Sequence, residues 1–190
     1  TPIFVIEDFI SDSERLGLEN KILQTMSESS GRQFSNYGGW QSELFVNPFP
    51  VDIQPFVYKV LMAADPCFEQ IGINNTANEH SPTIGNCNCY WYNVNHKGNW
   101  NFPHTHPSNV FAAVLYVKAD NSSGELKFER PDIMGEYYAN RIDYDTEFNR
   151  LQYKIKPKEK SLVIFPAWLR HSVEPSLSDR MRLSIAFNIN

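Results

Sequence analysis

Two periods divide this chain. Up to about residue 70 apolar side chains recur at helical spacing; from about residue 84 they alternate with polar ones. Leu16, Leu18, Ile22, Leu23 and Met26 follow Ser11-Asp12-Ser13-Glu14. Ser11 with Glu14 three residues later forms a capping box, so the pattern predicts a first helix over 12–28. The stretch from Ser27 to Gly39 is polar and contains glycine, which reads as a loop. Pro55 opens a second helix over 55–68, with Phe56, Val57, Val60 and Leu61 at helical spacing.

Beyond residue 84 the pattern predicts strands over 86–94, 110–118, 124–129, 151–156, 161–165 and 181–189. Turn chemistry separates them: Asp120 to Gly124, Lys156-Pro157-Lys158, and Pro175 to Asp179. Residues 131–150 are polar and tyrosine-rich with no clear period, and read as an inserted loop with room for a short strand. Many short antiparallel strands preceded by helices predict a mainly β fold with flanking helices, a sandwich or jelly roll. One domain over 1–190 is expected, with 1–80 as a supporting region and 84–190 as the jelly-roll core.

Composition narrows the function classes. Of 190 residues, 42% are hydrophobic and 21% charged, which excludes a wholly disordered or fibrous chain. A net charge of −5 argues against a nucleic-acid backbone as the main partner. No apolar run approaches the roughly 18–20 residues of a membrane helix. Thr1 to Ile10 carries two acids and no basic stretch, unlike a signal peptide. Three cysteines (Cys67, Cys87 and Cys89) leave one unpaired in any disulfide scheme, so a reduced, cytoplasmic protein is expected. Cys87-Asn88-Cys89 lacks the second cysteine pair of a metal site and reads as buried strand thiols.

The densest chemistry is Asn99-Trp100-Asn101-Phe102-Pro103-His104-Thr105-His106-Pro107, opening the strand expected near Val110. Residues i and i+2 of a strand share a face, with Cα atoms about 6.5–7 Å apart. Two imidazoles placed so can converge on one metal ion, and His171 offers a third ligand that leaves the opposite coordination positions open. Jelly-roll closure is what would bring the pair at 104 and 106 against a residue so far along the chain. His80 and His96, each alone, read as ordinary core or surface residues. Further on, Arg182 and Ser184 share one strand face while Met181, Leu183 and Ile185 share the other. A guanidinium aimed into a barrel calls for an anion, and its planar fork suits a carboxylate. Arg180 still belongs to the turn and reads as solvated.

Taken together, these motifs resemble the iron(II)- and 2-oxoglutarate-dependent oxygenases of the double-stranded β-helix (jelly-roll, cupin-like) fold, in particular the branch found in bacteria and phages. The resemblance covers roughly residues 84–190. It rests on Trp91-x-Asn93, Gly98-Asn99-Trp100, His104-Thr105-His106-Pro107, Gly124-x-Leu126-x-Phe128, Phe165-Pro166-x-Trp168-Leu169-x-His171-Ser172-Val173 and Arg182-Leu183-Ser184. Phe4 to Ser11 is also similar to the opening of prolyl-hydroxylase-like members, where a strand leads into a helix.

The resemblance implies that His104 and His171 hold Fe(II), and that Arg182 with Ser184 receives the distal carboxylate of 2-oxoglutarate. Tyr90 or Tyr92 would add a hydroxyl to that carboxylate. The implied activity is a dioxygenase that consumes O2 and 2-oxoglutarate, hydroxylates a small molecule or a peptide, and releases succinate and CO2. One position departs from the pattern: most of the superfamily has H-x-D, and here His106 stands where the carboxylate is expected. Three-histidine iron dioxygenases that use no 2-oxoglutarate are therefore an alternative, and a non-catalytic cupin-like binding module is another. Trp91, Tyr92, Trp100, Phe102, Phe111 and Trp168 are candidates to line the substrate pocket, or else core and rim packing. Tyr137, Tyr138 and Tyr144 are candidates for a lid.

Overall fold

The computed structural model describes residues 1–73, 86–132, 141–146 and 149–190. Strand β1 (Phe4–Ile6) leads into helix α1 (Asp12–Glu28). The capping box is formed: the Glu14 N–H donates to Ser11 Oγ at 3.2 Å and the Ser11 N–H donates to Glu14 Oε2 at 2.7 Å. Helix α2 (Gln54–Gln70) has Pro55 in its first turn and buries Val57, Val60, Leu61, Ala64, Cys67 and Phe68 along one face. Between the helices lie three two-residue strands, β2 (Asn36–Tyr37), β3 (Trp40–Gln41) and β4 (Phe45–Val46). Then follow β5 (Cys87–Asn95), β6 (Trp100–His104), β7 (Phe111–Lys118), β8 (Leu126–Glu129), β9 (Gln152–Ile155), β10 (Leu162–Pro166), β11 (His171–Val173) and β12 (Arg182–Ile189).

The strands form two antiparallel sheets. The larger runs β1-β10-β7-β12-β5-β3, with β4 also on β5, and the smaller runs β2-β6-β11-β8-β9. Neighbours in space are mostly distant in sequence, as the crossing connections of a jelly roll require. Period-two alternation in the central strands makes two apolar layers. Tyr90, Tyr92, Val94, Leu183, Ile185 and Phe187 point one way and pack with α1 and α2. Ala112, Tyr116, Val163 and Phe165 point the other way and meet Leu126, Phe128 and Leu169 between the sheets. The architecture is the expected mainly β double-stranded helix with two helices outside it.

Most predicted elements are present with ends shifted by a residue or two; three expectations are corrected. The strand that His104 and His106 were expected to open runs instead from Trp100 to His104 and stops, and the next one starts at Phe111. Pro107 cannot donate to a ladder, and Ser108 turns the chain with φ +66°. The stretch 27–39 is not all loop, because Asn36 and Tyr37 pair with Asn101 and Trp100 of β6. Such short strands carry too few residues to show a period. The region 131–150 contains no strand among its described residues, and positions 133–140 and 147–148, with Tyr137 and Tyr138, lie outside them.

Gly124 holds the two sheets' chemistry at close quarters. Its φ is +86°, and a Cβ there would come 2.1 Å from the Glu174 carbonyl oxygen and 3.1 Å from Arg182 Nη1. A Gly124→Ala variant is therefore expected to lose at least about 2 kcal/mol of stability in urea denaturation. Gly17→Ala, on an open face of α1 with nothing within 4 Å, is expected to gain about 0.5–1 kcal/mol. Equal effects at the two positions would contradict this account.

Candidate metal centre

Antiparallel pairing sets His171, the first residue of β11, opposite His104, the last residue of β6. On its other side His171 pairs with Phe128 of β8. His106 reaches the same point from the loop, by a different route from the shared strand face expected. Its N–H donates to the Ala167 carbonyl at 2.8 Å, and the Ala167 N–H donates to the Val110 carbonyl at 2.9 Å. Those bonds pin the turn after β6 against the turn before β11. The ring of His106 lies parallel to that of His171, centroids 5.0 Å apart, and on its other flank stacks with Trp91 at 5.8 Å.

The hydrogen bonds decide which nitrogens are available. His104 Nδ1 lies 2.6 Å from the Phe102 carbonyl, and His171 Nδ1 lies 2.9 Å from the Leu169 carbonyl. A carbonyl only accepts, so both Nδ1 atoms carry the proton and both Nε2 atoms present lone pairs. His106 Nε2 sits 3.2 Å from His171 Nε2. One ligand atom from each of the three rings fits within a mutual separation of 4.8 Å. Two nitrogens bound side by side to one ion at about 2.1 Å would be roughly 3 Å apart, so the donor set fits a divalent cation. Burial keeps the imidazoles neutral. It lowers the pKa of His104, takes His106 down to about 4 with help from the neighbouring His104, and holds His171 well below the usual imidazole value, with His104 and His106 adding to the effect.

Across the cavity from this cluster stands Arg182, 2% exposed, at the start of β12. Its Nη1 donates to the carbonyl oxygens of Ser123 and Gly124 at 2.5 and 3.4 Å. Burial works against its charge, and the Tyr116 hydroxyl works for it. Conversely, burial pushes the Tyr116 phenol up to about 12 while the Arg182 charge pulls it back. No carboxylate side chain lines this cavity among the described residues. Ser184 lies on the same face as Arg182, as its spacing predicts.

Tyr90 and Tyr92 are elsewhere. Both point from β5 into the helix-packed layer, against Phe45, Phe49 and Phe187, so neither hydroxyl reaches the cavity. Burial raises both phenols, Tyr92 to about 12. The intervening residues Trp91, Asn93 and Asn95 face the cavity instead. Asn93 accepts a hydrogen bond from Gln41 Nε2 at 3.0 Å. Of the other aromatic candidates, Phe111 is core, Trp168 and Phe102 are exposed, and Trp100 packs on Phe102 and Tyr37 outside the cavity. Tyr144 is 75% exposed. His96 is an exposed turn residue whose N–H donates to Asn99 Oδ1, and His80 lies outside the described residues. Cys67, Cys87 and Cys89 are buried free thiols, as expected, with Cys87 pushed up to about 12.

Comparison with known proteins agrees with this geometry. A family model described as "Putative 2OG-Fe(II) oxygenase" matches residues 89–188. No curated protein matches the chain. Among solved structures, a prolyl-4-hydroxylase from Pseudomonas putida is similar over 99% of this chain and 91% of its own, with TM-score 0.63 and 14% identity. The viral collagen prolyl hydroxylase of Paramecium bursaria Chlorella virus-1, in its 2OG complex, is similar over 100% and 96%, with TM-score 0.61 and 15% identity. The α-ketoglutarate-dependent carbocyclase SnoK of nogalamycin biosynthesis is similar over 97% and 78%, with TM-score 0.68 and 8% identity. At these identities the likeness is one of fold.

The buried neutral imidazoles make stability depend on pH. A histidine whose folded pKa is depressed stabilises the fold above its unfolded value of about 6.5, and this is lost as pH falls toward the folded value. For His106, with a folded value of about 4, the metal-free protein should lose of order 1–2 kcal/mol between pH 7.5 and 5. Urea denaturation of chelated protein is expected to show a steeper pH slope in the parent than in His106→Gln. Equal slopes would contradict a buried neutral imidazole.

Proposed function

The chain belongs to the 2OG-Fe(II) oxygenases, whose reactants are Fe(II), 2-oxoglutarate and O2, and from that membership we propose that it hydroxylates a small molecule or a peptide, releasing succinate and CO2. The observation that carries the reading is the convergence of three imidazoles on one point, across a cavity from a buried guanidinium that has no carboxylate partner among the described residues. His104, His106 and His171 would hold the iron through Nε2. When bound, the iron supplies a place where O2 is activated at the expense of 2-oxoglutarate. Arg182 would take the distal carboxylate of the cosubstrate, with Ser184 and the Tyr116 hydroxyl beside it as donors. Trp91, Val114 and Phe165 would give the space around the histidines part of an apolar wall. The structural neighbours include two prolyl hydroxylases and a carbocyclase of a biosynthetic pathway, which supports a peptide or small-molecule substrate without choosing between them.

The histidine at position 106 favours a second reading, a three-histidine iron dioxygenase that binds its organic substrate directly and uses no 2-oxoglutarate. One assay separates the two. Fe(II)-dependent conversion of 2-oxoglutarate to succinate is expected in the parent and should be lost in the His104→Ala, His171→Ala double variant. Arg182→Leu is expected to raise the KM for 2-oxoglutarate about 10–100-fold, the loss of one or two charge-assisted hydrogen bonds. Metal bound without succinate formed, or 2-oxoglutarate bound equally well after Arg182→Leu, would move the reading to the second enzyme. No metal bound at all would leave only a binding module.

A further inference from the structure

We propose that Gln41 is a positioning residue for the cosubstrate: by donating from Nε2 to Asn93 Oδ1, it turns the Asn93 amide so that Nδ2 faces the cavity as an uncharged donor to the distal carboxylate. The inference rests on the 2-oxoglutarate reading given above. It extends that reading to the strap of residues 36–41, which has no part in it so far.

Strand register lays the floor of the cavity out in rows. Ser184 of β12 stands opposite Asn93 of β5 on one side and Tyr116 of β7 on the other, and Asn93 in turn stands opposite Gln41 of β3. All four side chains line the cavity, so they make one polar row across four neighbouring strands. Two residues along the strands in one direction, Trp91, Ala186 and Val114 make an apolar row, and Trp91 stacks on His106. Two residues in the other direction, Asn95 stands opposite Arg182. Successive rows are about 6.5–7 Å apart. A ligand reaching from the histidines to the guanidinium therefore passes over the polar row, where Asn93 sits between Gln41 and Ser184.

One hydrogen bond fixes how Asn93 presents its amide. Gln41 Nε2 donates to Asn93 Oδ1 at 3.0 Å, between side chains that are 2% and 9% exposed. With Oδ1 taken, Nδ2 remains. It has no protein acceptor among the described residues, and it is not one of the buried atoms that lack a partner, so it opens on the cavity that Asn93 lines. An amide turned the other way would aim an oxygen at the anion, which can only accept hydrogen bonds. The backbone of Gln41 is itself held: its carbonyl accepts the Arg32 N–H at 2.8 Å. Asn36 Nδ2 donates to the Gly39 carbonyl at 2.6 Å and ties the strap across its own turn. β2 belongs to the smaller sheet and β3 to the larger, so the strap is anchored at both ends. Gln41 Oε1, meanwhile, is a buried acceptor without a partner. An apolar side chain of the same shape would leave no such atom, so packing alone does not account for a glutamine here.

Calorimetric titration of 2-oxoglutarate into the Co(II)-loaded full chain, without O2, tests the proposal. Gln41→Leu is expected to weaken binding about 10-fold, the worth of one hydrogen bond to a charged group. Gln41→Met, unbranched and likewise without a donor, should do the same. In an Asn93→Ala background neither substitution should weaken binding further, because Gln41 acts through Asn93. 2-Oxobutyrate, which lacks the distal carboxylate, should bind the parent and Gln41→Leu equally. The urea midpoint of Gln41→Leu should stay close to that of the parent, since removing the unpaired Oε1 offsets the lost hydrogen bond. In turnover the KM for 2-oxoglutarate should rise while kcat holds. Parent-like affinity in both single variants would overturn the proposal and leave the 2-oxoglutarate reading standing. Equal losses in the Asn93→Ala background, or equal losses for 2-oxobutyrate, would overturn it in favour of a role in packing. A parent that binds Co(II) but no 2-oxoglutarate would overturn the cosubstrate reading, and this inference with it.

Discussion

β12 is hydrogen-bonded along both edges, to β5 and to β7, and its alternation serves two masters. Leu183, Ile185, Phe187 and Ile189 close the layer under the helices, while Arg182, Ser184 and Ala186 face the cavity. A slip of one residue on either edge would drive a guanidinium into the apolar layer and leucine and isoleucine into the cavity. Burying the charge there without a partner would cost several kcal/mol, and the four apolar side chains would each lose about 1.5–3 kcal/mol of burial. The same register that makes the core therefore fixes where the guanidinium stands in the cavity. Two-sided pairing also explains why the site can be built on a strand only eight residues long: neither edge is free to shift.

The smaller sheet contributes differently. β6 and β11 are short, and the useful positions are their ends, His104 and His171, which the antiparallel pairing sets directly opposite each other. His106 belongs to neither strand. It is held by main-chain bonds between two turns, by the flat contact with Trp91 from the larger sheet, and by the rings on its other side. The cluster thus joins the two sheets through one loop residue. It is the one at which the chain departs from the usual ligand.

These differences explain what could be read from residues alone. The alternation at 181–189 was legible because polar Arg182 and Ser184 interrupt apolar neighbours, so the phase of the strand is unambiguous. The capping box at Ser11 was legible for a similar reason: a specific pair at a specific spacing. On β5 the phase was hidden, since Tyr90, Trp91, Tyr92 and Val94 would suit either face of a strand buried on both. Tyr90 and Tyr92 were therefore expected in the cavity that Trp91, Asn93 and Asn95 line. Asn93 stands in the Trp91-x-Asn93 motif, yet the motif alone assigns it no partner; Gln41, from a two-residue strand, supplies one through the fold. Tyr116 was unreadable for the same reason, its one polar atom standing in an apolar run while its neighbour Arg182 comes from a strand distant in sequence.

The electrostatics of the cavity follow from these placements. Its imidazoles are kept neutral by burial, and among the described residues Arg182 meets two main-chain carbonyls and the neutral Tyr116 hydroxyl but no carboxylate. Carbonyls satisfy hydrogen bonds but carry no net charge, so the cavity is positive before any ion enters. A divalent cation would raise that further, and a dianion held in the cavity as proposed above would lower it by two. Had position 106 carried a carboxylate, the cation, the guanidinium, the ligand set and the dianion would have cancelled. With an imidazole one positive charge is left over, in a space whose walls are largely apolar and whose field is therefore poorly screened. That excess would work against loss of the dianion and against entry of a cationic group. An acidic chain with a net charge of −5 thus encloses a cavity of the opposite sign, and the overall charge says little about what the cavity binds.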